Sequence, residues 1–137
     1  MSNLEKNKAA TKAALELLFN SEVSFAEKKK RITQYINPDK YIQHSPELAD
    51  GLEGLMVLVE SFDRLYEGYT IDVKRIIAEG DYTVAHCHYL FGTDDKYGKA
   101  IVEIFRFEDG LMVEHWDVIQ PVPEADAQGN ANGNGMF

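Results

Sequence analysis

The 137 residues carry 23 acidic against 14 basic side chains, a formal charge of −9. That sign argues against nucleic acid or an anionic membrane as a partner, because both require a basic patch. With 45% hydrophobic and 27% charged residues the composition is that of an ordinary globular domain. Cys87 is the single cysteine, which excludes an intrachain disulfide, and no stretch is apolar enough for a signal peptide or membrane span. A soluble, cytoplasmic protein is the expectation.

Helices come first. Asn3 to Phe19 has helical apolar spacing at Ala10, Ala14, Leu17 and Leu18, with no internal Gly or Pro. Ser24-Phe25-Ala26-Glu27 is a capping box that opens a second helix to about Ile36. Its Lys28-Lys29-Lys30-Arg31 run reads as a solvated face. Asn37-Pro38 begins another short turn, and Tyr41 to Pro46 is expected to be extended, since the residue before a proline avoids the α region. Asp50-Gly51-Leu52-Glu53 caps a third helix to about Tyr66, with Leu55, Leu58, Val59, Phe62 and Leu65 along one side.

From Thr70 the period becomes two. Strands are expected over Thr70 to Ala78, Tyr82 to Phe91, Lys99 to Phe107 and Leu111 to Ile119, with a Glu79-Gly80-Asp81 turn and a polar loop at 92–98. Helices followed by strands point to an α+β fold, with helices on one face of an antiparallel sheet. Residues 1–123 form one expected domain, and 124–137 a flexible tail rich in Pro, Gly, Asn and Ala. Met136-Phe137 is an apolar end that could fold back on a pocket mouth.

The last hairpin carries the chemistry. A three-residue Glu108-Asp109-Gly110 loop pairs Phe105 with Val113, Glu103 with His115 and Ile101 with Asp117. Glu103, Phe105, Phe107, Val113, His115 and Asp117 then share one face, and Val102, Ile104, Met112, Trp116 and Val118 the other. A two-residue Asp-Gly turn is the alternative; it shifts the register by one and takes Glu103 away from His115 and Asp117. Arg106 and Glu114 fall on the outer face as an ion pair.

Gln43-His44-Ser45-Pro46, the Glu-Gly-Asp turn and the run from Phe105 to Pro123 (FRFEDG, EHWDVIQPVP) together resemble the SnoaL-like polyketide cyclase family of the nuclear-transport-factor-two-like superfamily. The resemblance spans Leu4 to about Pro123. It implies a cone-shaped, curved mixed or antiparallel sheet with N-terminal helices enclosing a pocket, a cystatin-like α+β barrel. It also implies homodimers through the outer sheet face and no cofactor. Related cyclases use the aspartate at the position of Asp117 as acid/base in an intramolecular aldol step. Glu103 stands where the cyclase pattern has a histidine, and His86 where the epoxide-hydrolase branch needs an arginine.

His86 and His88 flank Cys87 on one strand face. If that face is concave, His86, His88, His115, Glu103 and Asp117 line a pocket, with His44 at its mouth and Tyr41 and Phe62 in its wall. Burial would raise Asp117 toward a working base, and a histidine could donate to a carbonyl oxygen as the enolate forms. Asp117 and His86 are therefore the candidate catalytic pair. His44, His88, Glu103, His115, Tyr41 and Phe62 are candidate contacts to a small hydrophobic or carbonyl-containing molecule. Two other readings stay open: a non-catalytic ligand-binding dimer, and a metal enzyme built on His-x-His, a third histidine and a glutamate.

Overall fold

The computed structural model describes residues 1–124 and 131–137. Three helices, α1 (Asn3–Leu18), α2 (Phe25–Arg31) and α3 (Gly51–Leu65), pack on a five-stranded sheet. The strands are β1 (Ile42–Gln43), β2 (Thr70–Glu79), β3 (Tyr82–Leu90), β4 (Lys99–Glu108) and β5 (Leu111–Pro121). Their order is β1-β5-β4-β3-β2, antiparallel except where β1 runs parallel to β5. The expected curved α+β sheet with N-terminal helices is present; β1 and β2 lie at opposite edges, so the sheet does not close into a barrel. Register slips in β2 near Val73 and in the β4–β5 hairpin supply local bends of the kind that β-bulges produce.

Capping fixes the first two helices. The Ser2 and Ser24 hydroxyls accept the backbone N–H of Glu5 and Glu27, both at 3.2 Å. The second helix ends at Arg31 and tightens into a 3₁₀ turn over Ile32–Gln34 instead of continuing to Ile36. Asp50 precedes α3 without capping it, because its Oδ1 accepts the Gln43 N–H at 2.8 Å. The helix start is thereby tied to β1.

The core lies between the helices and the concave sheet face. Ala14, Leu15 and Leu18 of α1 and Leu55, Val59 and Phe62 of α3 meet Ala85, Cys87, Tyr89, Ile101 and Phe105. Phe19 packs edge-on against both Phe62 (5.2 Å) and Tyr89 (5.0 Å). Thr11 and Thr83 join α1 to β3 through a buried 2.8 Å hydroxyl contact.

One basic side chain departs from the solvated-face expectation. Lys28 is fully buried, in contact with the Tyr69 hydroxyl and 3.5 Å from Asp63 Oδ1. Tyr69 in turn donates to Asp63 at 2.5 Å. Burial pulls the Lys28 ammonium below the usual lysine range, and Asp63 opposes that shift. The cluster ties α2 and α3 to Tyr69, the residue just before β2.

Of the expected flexible tail, 124–137, residues 125–130 lie outside the described residues. Phe137 does not cap a pocket mouth. It stacks on His86 and His88 at 5.4 and 4.4 Å, on the outer sheet face. No helix among the described residues is long and apolar enough to cross a membrane.

Candidate functional site

Turn chemistry sets the hairpin. Asp109 (φ 49°) and Gly110 (φ 80°) both take left-handed conformations, the signature of a two-residue type I′ turn, and Glu108 pairs with Leu111. This corrects the three-residue loop. The register then slips: Phe107 faces Met112, but Arg106 faces Glu114, leaving Val113 as the extra residue of a bulge. The slip restores the side-chain parity that the short turn would have lost. Phe105 pairs with His115 and Glu103 with Asp117, so all four share the concave face. It also buries both Met112 and Val113 completely, where Met112 was expected outside.

A chain of hydrogen bonds runs along this inner face. The Tyr89 hydroxyl donates to Glu103 Oε1 at 2.7 Å, and Glu103 Oε2 lies 2.5 Å from His115 Nε2. His115 Nδ1 is 2.7 Å from Gln43 Oε1, which also accepts the Ser45 N–H at 3.0 Å. Because Ser45 N–H fixes that Gln43 atom as the acceptor, His115 Nδ1 must carry a hydrogen. A single shared proton therefore satisfies the Nε2–Oε2 contact. Glu103 and His115 are only 6% and 5% exposed, so breaking this pairing would strand a buried polar group.

Asp117 sits across from Glu103 and is half-buried. Burial first, and then the Glu103 charge, push its carboxyl above the ordinary aspartate range; His115 and Ser45 oppose the shift. Tyr41 is buried beside it, its ring nearly parallel to His115 at 6.3 Å. Burial, with the charges of Glu103 and Asp117, drives the phenol well above its usual value, so it stays a hydrogen donor. The Cys87 thiol, also inward, is pushed up to about 12, chiefly by burial, which makes it inert rather than nucleophilic.

Two chambers meet at this group. The inner one, about 40 Å³, is walled by apolar α1 and α3 side chains with Tyr41, Glu103, His115 and Asp117. The outer one, about 190 Å³, opens past Ser45, Phe62, Tyr66, Tyr89, Phe91 and Lys99. Phe19, Leu48, Leu58, Glu103 and Asp117 line both, so the Asp117 side chain borders either space. Glu103, His115 and Asp117 also offer ligand atoms within 4.8 Å of one another, close enough to hold a metal ion.

The other three histidines lie elsewhere. Thr83, Ala85, Cys87 and Tyr89 are the buried, inward residues of β3, so His86 and His88 point outward. Packing decides this: the inward set buries a large tyrosine whose hydroxyl finds Glu103. Arg75 donates to His86 Nδ1 at 2.5 Å, and His88 Nε2 donates to the Tyr97 carbonyl at 2.7 Å. Burial and the Arg75 and Lys74 charges hold His86 below the usual histidine range. His44 is also outside. Parallel pairing of Gln43 with His115 turns Gln43 inward and sends His44 onto Trp116, stacked at 4.7 Å, with Glu114 2.8 Å away.

Tyr41 lines the inner chamber and Phe62 the outer one. Gln43, Ser45, Tyr89 and Lys99 were missed. Alternation along β3 would have found Tyr89 once Cys87 was set inward, and Gln43 would have followed from pairing Tyr41–Ser45 beside β5.

Residues 21–115 match the SnoaL-like domain family. No curated protein matches the chain in sequence. Solved structures resemble it in fold. A proposed SnoaL-like polyketide cyclase from Jannaschia sp. CCS1 superposes with a TM-score of 0.70 at 14% identity, covering 88% of this chain and 89% of its own. A proposed isomerase of the SnoaL-like family from Agrobacterium tumefaciens strain C58 gives 0.69 at 11% identity, covering 85% and 98%. A proposed ketosteroid isomerase from Kribbella flavida DSM 17836 gives 0.67 at 15% identity, covering 95% and 88%.

Proposed function

The chain belongs to the SnoaL-like domain family, and from that premise we propose that it is an enzyme of cofactor-independent acid/base chemistry on a small carbonyl compound. Asp117 takes a proton from the carbon α to the carbonyl. The Tyr41 hydroxyl donates to the oxygen on which the enolate charge develops. His86, the partner expected from the sequence, stands on the opposite face, and Tyr41 fills that role. The observation that carries the reading is a raised carboxylate at the wall common to both chambers, beside a phenol that burial keeps protonated. Glu103 and His115, already engaged with each other, are positioning residues that set the charge opposite Asp117.

One enolate serves several reactions. Attack on a second carbonyl gives an aldol cyclisation, return of the proton elsewhere gives an isomerisation, and loss of a β-hydroxyl gives a dehydration. The cyclase and isomerase names of the similar structures support this range. The reading includes a homodimer through the outer sheet face, where Ile77, Tyr82 and Val118 expose apolar surface. Light scattering should then return twice the monomer mass, and Val118→Asp should halve it.

The chemical test is exchange of α-protons into D₂O, followed by NMR on enolisable ketones and β-dicarbonyl compounds. The wild-type protein should catalyse exchange, and Asp117→Asn should slow it at least about 100-fold. Binding of such compounds with no exchange in any of them would leave a ligand-binding protein instead. Stoichiometric zinc or iron in protein purified without a histidine tag would move the chemistry to a metal held by Glu103, His115 and Asp117.

A further inference from the structure

Lys99 opens β4 on the same face as Ile101 and Glu103 and lines the outer chamber. It is the one lysine or arginine in the wall of either chamber among the described residues. Lys8, Lys12, Lys28, Lys40 and Lys74 each pair with a carboxylate; Lys99 has no such partner among the described residues. Its ammonium lies 4.7 Å over the Phe91 ring, a second wall residue of that chamber. A partly buried lysine over an aromatic ring, in no ion pair among the described residues, has its ammonium free to meet an anion.

Its backbone is held firmly. Asp95 accepts the N–H groups of Phe91 (2.8 Å), Tyr97 (3.2 Å) and Gly98 (2.8 Å), winding the loop before β4 into a fixed shape. Gly98, at φ 65°, presses so closely on Tyr89 that a Cβ there would lie 1.9 Å from its carbonyl oxygen. The Gly98 carbonyl then accepts the Val122 N–H at 3.0 Å. Lys99 therefore projects from an anchored position rather than a free loop.

The β4–β5 ladder gives the distance. Glu103 pairs with Asp117, and Lys99 pairs with Pro121 four residues further on, about 13 Å along the strand. The carboxylates Glu47, Glu103 and Asp117 also line the outer chamber, nearer its inner end by this ladder for the last two. A substrate anion is repelled from Asp117 and drawn to Lys99, so only one orientation is favoured.

We propose that Lys99 is the specificity-determining residue of this site, and that the substrate is a carbonyl compound bearing a carboxylate several bonds beyond the enolisable carbon. The carboxylate rests on the Lys99 ammonium while the carbonyl end reaches Asp117 and Tyr41. This rests on Asp117 being the base for its chemical part, but the anion-binding part stands on Lys99 alone.

The experiment uses 6-oxoheptanoate and its neutral primary amide, with calorimetry for binding and NMR for α-proton exchange. Wild-type protein should bind the acid about tenfold or more tightly than the amide, as a charge-assisted contact predicts. Lys99→Met should remove that preference by weakening the acid alone, with an unchanged melting temperature, and Lys99→Arg should keep it. Asp117→Asn should lose exchange and retain the preference. Equal binding of acid and amide by the wild type, a preference that survives Lys99→Met, or no binding of either at millimolar concentration would overturn the proposal. Exchange without an acid preference would reject Lys99 and leave Asp117 standing; acid preference without exchange would do the reverse.

Discussion

The sheet presents one histidine–glutamate pair on each face, the inner one between β4 and β5 and the outer one between β5 and the residue that follows β1. Inside, His115 and Glu103 meet at 2.5 Å with both side chains under a tenth exposed. Outside, His44 and Glu114 meet at 2.8 Å, with His44 open to water and Glu114 shared with Arg106 at 2.6 Å. The residues are alike and the environments are not. Water screens the outer pair, so it can break and re-form at little cost. The inner pair is enclosed by Tyr89, Gln43 and Asp117 in place of water, so its charge is unscreened. Chemistry is therefore expected on one face and adhesion on the other.

The largest effect should come from Asp117→Asn, which is expected to lower α-proton exchange by about 10²–10⁴-fold, whereas His44→Ala should leave the rate within a factor of about two, since an exposed pair couples weakly to a buried site. Comparable losses from both would erase the distinction between faces. Glu103→Ala comes next. It strands His115 Nε2 and the Tyr89 hydroxyl in the interior and should destabilise the fold by about 3–5 kcal/mol, read by urea unfolding. Gln43→Leu removes the acceptor of both His115 Nδ1–H and Ser45 N–H, a loss of about 1–3 kcal/mol. His44→Ala should cost about 1 kcal/mol or less.

The two faces should also differ in the sign of their pH dependence. The folded Asp117 carboxyl is raised, so its contribution to stability is fully present below the unfolded value, about 3.9, and is lost as pH rises through the folded value. Asn mimics the protonated form. Asp117→Asn should therefore match wild type in stability near pH 4 and exceed it at pH 7. Glu114 is lowered, first by its hydrogen bond to His44 and then by Arg106. Its contribution is present above the unfolded value and lost as pH falls through the folded one, so Glu114→Gln should destabilise at pH 7 and be silent in acid. Unfolding of both variants at the two pH values checks the signs.

Much of this was readable beforehand. Ser24, the Asp-Gly turn and the change of period at Thr70 located helices and strands because each signal is local. The inward Glu103, His115 and Asp117 followed from parity, although two errors cancelled: the turn is one residue shorter, and a bulge at Val113 returns the lost step. Nothing in Leu111-Met112-Val113 marks that bulge, which depends on both faces having apolar partners to receive the residues. β3 was ambiguous for a related reason. Val84, His86 and His88 alternate as cleanly as Ala85, Cys87 and Tyr89, and only the long-range bond from Tyr89 to Glu103 separates the two sets. Lys28 was hidden in a basic run because Asp63 and Tyr69, which bring it inside, are more than thirty residues away.

The pH profile of α-proton exchange, taken on the wild type and on Asp117→Asn with one enolisable substrate, probes the inner face most directly. The rate should rise with pH through an apparent pKa above the ordinary aspartate range, as the raised carboxyl ionises into a base, and that rise should vanish in the variant. A wild-type profile that is flat, or one that Asp117→Asn leaves unchanged, would contradict Asp117 as the group that takes the proton.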